Sequence, residues 1–252
     1  MTSVAQHQSR NLLLSVMKGD DYSLLQPYLK RVGLIDGDVL ARPGDAISTI
    51  CFPEGAVTAL LSITPNGGLP EADGRTAVGL IGREGMVGVS HLLGASHWTH
   101  EVLVRAQTSS GLKIAADRLL AACRCSPSLH SLLLRYAGNY LLQVGRTCTS
   151  NSVCSVEQRM ARWILLYHDR VEGDEFPITH KEFAIMLGVR RASATEALHI
   201  LEGRQLVRSL RGQIVIRDRQ GLEELAGSAY GDVEEDYRRT LAPFGKSGRT
   251  CT

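Results

Sequence analysis

Between residues 31 and 114 the apolar positions come in short runs: VGLI, ISTICF, AVTALLSI, TAVGLI, EVLVRAQT and SGLKIA. Gly and Pro cut them at intervals of about eight to twelve residues, the spacing of an all-β sandwich or barrel. A jelly roll is the expected form. Asp36-Gly37, Pro43-Gly44-Asp45 and Asp73-Gly74 are turn signals, because Gly supplies positive φ and Pro presets φ. The insert PNGGLPEADGR at residues 65–75 reads as an exposed hairpin tip. Ahead of the roll, residues 1–10 are polar and loose. Residues 11–17 and 20–29 read as short helices, with Asp20 as N-cap and Pro27 bending the second.

Past the roll the period changes from strand to helix. Residues 117–123 predict a short helix. Residues 126–153 predict a long one, with Ser126 as cap and Pro127 at the first helical position, where its missing N–H costs nothing. Leu129, Leu132, Leu133, Tyr136, Tyr140, Val144 and Cys148 form its apolar stripe. A helix of about six turns packs along a partner or along its own β domain; a two-fold dimer seam through Leu129, Leu133, Tyr136, Tyr140, Val144 and Cys148 is the preferred expectation. Gly138 and Gly145 weaken the helix but permit close backbone approach.

Ser155-Val-Glu-Gln158 is a capping-box pattern opening a helix whose apolar face is Val156, Met160, Trp163, Ile164 and Tyr167. Residues 178–202 then read as two short helices around a tight turn. Phe183, Ala184 and Leu187 face the core from the first; Ala194, Leu198 and Leu201 do so from the second. Gly188 stops the first helix and Val189 plugs the angle, which is the helix-turn-helix plan. GRQLVRSLRGQIVIRD predicts two strands about Arg211-Gly212, a wing, and Asp218 caps a last short helix. Residues 227–252 lack periodicity and are expected to fray. The division is therefore an α+β chain in four parts: a β-roll domain with its N-terminal helices at residues 1–125, the long helix at 126–154, a winged helix-turn-helix at 155–226 and a loose tail at 227–252.

Composition adds bounds. At 252 residues the chain can hold two cores. It is 44% hydrophobic and 21% charged, with a formal net charge of only +2, so no global field argues for nucleic acid. The charge is local: seven Lys or Arg stand against three acids between Phe176 and Arg217. The first apolar run, LLLSVM, is too short for a signal peptide, and no run approaches the roughly 20 residues of a membrane span. Six cysteines, none in metal-site spacing, read as reduced and mostly buried thiols of a cytoplasmic protein.

In this order the segments SVEQRMARWILLYHDR, ITHKEFAIMLGVRRASATEALHILEGRQLV and RGQIVIRDRQGLEEL, with PGD, CFPEGAV and VGLIGREGMVGVSHLLG in the roll, resemble the Crp/Fnr family of bacterial transcription regulators over about residues 30–226. The resemblance implies a homodimer reading a two-fold DNA site, with the roll as sensor, the long helix as relay and RNA polymerase as a partner. It places base reading at Arg191, Ala192, Ser193, Thr195 and Glu196. Arg191 suits guanine O6 and N7, and Glu196 suits cytosine N4. Thr179, Arg190, Arg208 and Arg211 are the phosphate candidates. Well-known members carry Glu where this chain has Ala192 and Arg where it has Glu196, so a different operator is expected.

The effector candidates are Glu84, His100, Glu101, Tyr140 and Val144. Family members that bind cyclic nucleotides clamp the phosphate with an Arg-Ser pair ahead of a strand like LVRAQT here. A gapless count puts His100 and Glu101 at those positions, and Val144-Gly145 where the base-contacting Thr-Ser pair stands. A carboxylate facing a phosphodiester repels it by about 1 kcal/mol at 4 Å in water and about 4 at an effective dielectric of 20. No tight cyclic-nucleotide binding is expected. No cysteine precedes Cys51, against an iron–sulfur cluster of the family's kind. Haem on His91, His97, His100 or His130 stays open as an alternative. No resident cofactor or metal is expected. A cupin-type enzyme is the first rival, but His97-x-x-His100-Glu101 has the wrong spacing and no second histidine group. A regulatory module acting on a protein partner is the second, and the 178–217 segment argues against it.

Overall fold

The computed structural model describes residues 4–64, 74–105 and 109–246. Most of the 65–75 insert, the end of the LVRAQT segment and the last six residues lie outside them.

The turn signals deliver seven strands in two antiparallel sheets. β1 (Lys30–Leu34), β7 (Ser109–Ala115) and β3 (Thr49–Pro53) pair in the order β1-β7-β3. β2 (Val39–Ala41), β6 (Glu101–Arg105), β4 (Val57–Ile63) and β5 (Arg75–Ile81) pair in the order β2-β6-β4-β5. The roll core between the sheets includes Leu34, Ile50, Phe52, Ile81, Val102, Val104 and Leu112. α1 (Leu12–Ser15) and α2 (Gly19–Leu25) close one end. Asn11, not only a cap for Leu14, donates to the carbonyls of Pro53 and Gly85 at 2.9 and 2.8 Å. The cap residue of α2 is Lys18 rather than Asp20, which sits in the first turn, where an acid suits the helix dipole.

β4 reads VTALLSI, a run with no clean alternation, and the reason is double burial. Leu60 points into the roll core, whereas Val57, Ala59 and Leu61, with Ala77 and Leu80 of β5, belong to a second core. That second core is the C-terminal domain. Alternation along β4 serves the two sides, and a register shift opposite Leu60 and Leu61, with Val78 as the extra residue of β5, lets Ala77 and Leu80 face the same side.

α3 (Val89–Leu92) lies between β5 and β6, and α4 (Ala116–Cys125) leads to α5 (Pro127–Val153), 27 residues capped by Ser126. Leu129, Leu133, Tyr136 and Tyr140 are buried within this chain, on the roll side of α5. Glycines at 79 and 85 make room for the two tyrosines; a Cβ on Gly85 would lie 1.9 Å from the Tyr136 hydroxyl. The stripe expected at a dimer seam is therefore the helix's inner face. Val144 is half-buried and Cys148 exposed. Period alone picked the more regular of two apolar stripes, and both faces of α5 carry leucines. The outer stripe is Leu134, Gly138, Leu141, Gly145 and Cys148.

α6 (Val156–His168) opens with the capping box: Ser155 accepts from the Gln158 amide and Gln158 from the Ser155 amide. α7 (His180–Leu187), α8 (Arg191–Gly203), β9 (Val207–Leu210), β10 (Gln213–Ile216) and α9 (Arg219–Ala226) follow. β8 (Glu175–Pro177) adds a third wing strand that a three-residue EFP hardly signals. The tail does not fray as expected. Gly227–Ala229 is a 3-10 turn and α10 spans Asp232–Thr240; Val233 is buried, and Tyr237, Ala242 and Phe244 are buried in the roll core cluster. Val233 and Tyr237 give a short apolar face to an otherwise charged helix, and Ala242 and Phe244 follow it.

Cys51 and Cys123 are buried, which pushes their thiols up to about 12 and about 11; Cys125 and Cys148 are exposed, against the expectation of mostly buried thiols. No helix among the described residues is long and apolar enough to cross a membrane.

Candidate nucleic-acid interface

α7 and α8 are set by local signals. Thr179 accepts from the Glu182 amide and Glu182 from the Thr179 amide, a second capping box. At the other end Gly188 has φ +63°, the left-handed conformation that stops α7. Arg159 of α6 donates to the Leu187 carbonyl at 3.0 Å, satisfying an end group of the helix. The chain reverses through Val189, and Arg190 stands at the head of α8. Ala194, Ala197, Leu198 and Leu201 bury one side of α8 against Phe183, Ala184 and Leu187.

The opposite side is open. Arg191, Ala192, Thr195, Glu196, His199 and Ile200 of α8 line a groove with Lys181 and Ala184 of α7. Four of the five residues expected to read bases are thus brought together. Ser193, half-buried, is not part of this lining. Lys181 and His199 were missed, although His199 sits three and four residues after Glu196 and Thr195, one turn further on the same face. His180 is hydrogen-bonded to Thr195, ring Nδ1 to hydroxyl at 2.9 Å, linking the first turn of α7 to the middle of α8.

The phosphate candidates flank this groove in different ways. Arg190 is exposed at the N-terminus of α8, where backbone N–H groups also face outward. Thr179 is exposed, its hydroxyl engaged as the α7 cap. Arg211 is at the tip of the wing. Arg208, also exposed, lines a second depression with Glu202, Arg204, Gln205, Arg217 and Asp218. Glu202, the C-terminal acid of α8, accepts from the Ser209 amide at 2.7 Å and ties the wing to the helix.

The C-terminal domain is docked on the roll. Glu182 forms an ion pair with Arg105 of β6, and Tyr167 donates to the Arg105 carbonyl at 2.8 Å. Arg170, just past α6, pairs with Glu84 of the roll at 2.9 Å, both side chains almost wholly buried. Glu84 also accepts from the Gly82 amide. The effector candidates are therefore not a common set of free groups. Glu84 is held by Arg170. Glu101 is buried and paired with Arg75 at 2.9 Å. His100 is hydrogen-bonded to Thr99, and burial lowers its pKa. Tyr140 is buried beside Gly79 and Val144 is half-buried. Of the haem candidates, His91 bonds the Ala95 carbonyl and His97 the Ser96 hydroxyl, while His130 is exposed.

Residues 158–225 match the model of a Crp-like helix-turn-helix domain. No curated protein matches the chain in sequence. Among solved structures the chain is similar to a putative transcriptional regulator of the Crp/Fnr family from Eubacterium rectale (16% identity, 85% of this chain and 97% of that one, TM-score 0.64). It is also similar to FixK2 from Bradyrhizobium japonicum (14%, 80% and 99%, TM-score 0.66). A Crp/Fnr-family regulator from Thermus thermophilus aligns likewise (21%, 80% and 100%, TM-score 0.62). Roll, long helix and winged helix-turn-helix thus share the fold of these Crp/Fnr-family structures over 80 to 85% of the chain.

Proposed function

We propose that this chain is a Crp/Fnr-type transcription regulator that binds double-stranded DNA as a homodimer through α8. The observation that carries the reading is the open groove of α8, in which Arg191, Thr195, Glu196 and His199 stand on one face with Lys181 beside them. A helix presenting such a face enters the major groove, where each good bidentate pair discriminates by about 1–3 kcal/mol. Arg190 and the exposed wing arginines Arg208 and Arg211 supply phosphate contacts without sequence preference. Glu196 favours a cytosine amino group on one strand and Arg191 a guanine.

The homodimer reading rests on the outer stripe of α5. Leu134, Gly138, Leu141, Gly145 and Cys148 repeat at alternating steps of four and three, the spacing of a coiled-coil seam. Leu141 is 57% exposed and Val153, past the last of them, 75%, unusual for so long an apolar helix. A Cβ on Gly138 or Gly145 would meet nothing in this chain, so a second helix can approach closely there. Two copies so joined read half-sites about 34 Å apart. The protein works in the cytoplasm beside RNA polymerase, and it is not an enzyme. Cyclic nucleotides are poor effectors on this reading: the gapless count puts Glu101 at the phosphate position, and that buried carboxylate already holds Arg75 at 2.9 Å.

Selection of bound fragments from genomic DNA by the purified protein tests this reading. The expected product is an inverted repeat with half-site centres 10–11 base pairs apart or a multiple of that. Its affinity should fall steeply as salt rises, because neutralised phosphates release counterions. Recovery of no enriched sequence would sink the proposal.

A further inference from the structure

We infer that residues 227–246 are a splint across the joint between α5 and α6, and that this splint fixes the orientation in which α8 is offered to DNA. The inference rests on the DNA-binding reading above.

The joint is short. α5 ends at Val153, α6 begins at Val156, and Cys154 and Ser155 between them are extended. Two rotatable residues give a hinge unless something spans it. The C-terminal segment grips both sides. Before the joint, Asn139 of α5 donates to the Val233 carbonyl at 2.9 Å and to Asp236 at 3.0 Å, and Arg146 pairs with Asp232. After it, Arg162 of α6 donates to the Ala229 carbonyl at 3.0 Å. Asp169 accepts from the Tyr230 hydroxyl at 2.6 Å and from the Lys246 amide at 3.1 Å.

The splint also seals the contact between domains. Tyr237, 1% exposed, donates to the Glu84 carbonyl at 2.6 Å. Phe244 lies against Tyr237, ring centres 5.0 Å apart, and under the Arg170 guanidinium at 5.4 Å. The Arg170–Glu84 pair is therefore covered on one side by two rings of the tail. A buried pair opened to water on that side loses the low-dielectric setting that holds it. Glu234, buried on the same helix, faces Arg162 and Arg170. Both cations belong to the DNA-binding side, while burial and the nearby Asp169 raise the Glu234 pKa.

The recognition face stays open while the splint is docked, since the residues lining the α8 groove come from α7 and α8 alone. The docked state is thus the one that presents α8 with a set direction. Release leaves each head held more loosely, by the Arg162 bonds to Gln143 and Thr147 of α5 and by its packing on β4 and β5, and the added orientational freedom it must then lose on DNA weakens binding. The tail takes the part of a permanently bound internal ligand, closing over Glu84 where an effector contact was expected.

The test compares three full-length proteins and one truncation: the unaltered chain, Tyr237→Phe, the double variant Tyr237→Phe/Phe244→Ala, and a chain ending at Ala226. Each is measured for affinity to the DNA site selected by the unaltered protein, for mass in solution, and for amide exchange in β5 and α7. The expected result for the double variant is a tenfold or greater loss of affinity at unchanged mass, with faster exchange where α7 meets β5. The single variant falls between. Affinity within twofold of the unaltered chain, or higher affinity, overturns the inference, and so does unchanged exchange in the double variant. If the unaltered chain binds no DNA, the functional reading fails, and amide exchange alone decides whether the splint holds the joint. The full-length variants decide the matter even if the truncation does not fold.

Discussion

His168 shows how one side chain is fixed by its neighbours. Arg219 donates to ring Nδ1 at 2.8 Å, and Nε2 lies 2.9 Å from Asp174. Only the neutral ring with its proton on Nε2 satisfies both. A second proton would point an N–H at a guanidinium. Burial first, then the nearby Lys246 and Arg219, lower the pKa below the ordinary 6.5 despite the bond to Asp174. A folded-state pKa below the unfolded one means that the unfolded chain takes up the proton first. The stability tied to this ring is whole above pH about 6.5 and is lost as pH falls through the depressed value. One such proton steepens the pH dependence by up to about 1.4 kcal/mol per pH unit. Gln can donate and accept in the same place without titrating, so His168→Gln is expected to flatten stability between pH 7.5 and 5. Urea midpoints across that range check it, and parallel curves for the two proteins would count against the assignment.

At the scale of elements, α5 carries two jobs on two faces. Its inner face is welded to the roll by Tyr136 and Tyr140 over glycines, and Gln143 accepts from the Leu80 amide at 2.7 Å. Its outer face bears the exposed leucines Leu134 and Leu141. Leu141→Glu is expected to leave the fold intact, because the site is exposed, and to produce monomers that bind the selected site at least tenfold more weakly. Light scattering and DNA titration read the two effects; a dimer of undiminished affinity would place the seam elsewhere. Three helix caps were legible from the letters because caps are local chemistry: Ser126, Ser155 and Asp218 all accept the expected amide, whereas Asp20 sits in the first turn of α2. The alternate faces of α5 were not, since Leu132, Leu133 and Leu134 are consecutive and which of them faces inward depends on the sheet it meets. The start of α8, and with it the open row of Arg191, Ala192, Thr195 and Glu196, was legible from the Gly188 stop. His199 escaped because the expected row ended one turn early. The tail was not legible because four apolar residues among many charges give a weak signal, and their partners lie far off in sequence, 94 residues from Val233 to Asn139 and 153 from Tyr237 to Glu84.

At the scale of the molecule, β4 and β5 form a party wall. Leu60 and Ile81 face the roll core, and Val57, Ala59, Leu61, Ala77 and Leu80 face the core of α6 and α7. Neither side can be stripped from that wall without exposing apolar surface on the other, at about 25 cal/mol for each Å². Two domains joined by a mere linker melt separately, each with its own enthalpy and midpoint. A chain that shares two strands between its cores melts as one cooperative unit. Scanning calorimetry is expected to record a single endotherm whose van't Hoff and calorimetric enthalpies agree when expressed per cooperative unit, and two resolved peaks would contradict it. The same sharing sets what a partial unfolding event can be: the reading head is not free to melt and refold on its own while the roll stands, so proteases that sample local openings should find few stable fragments between the whole chain and its peptides.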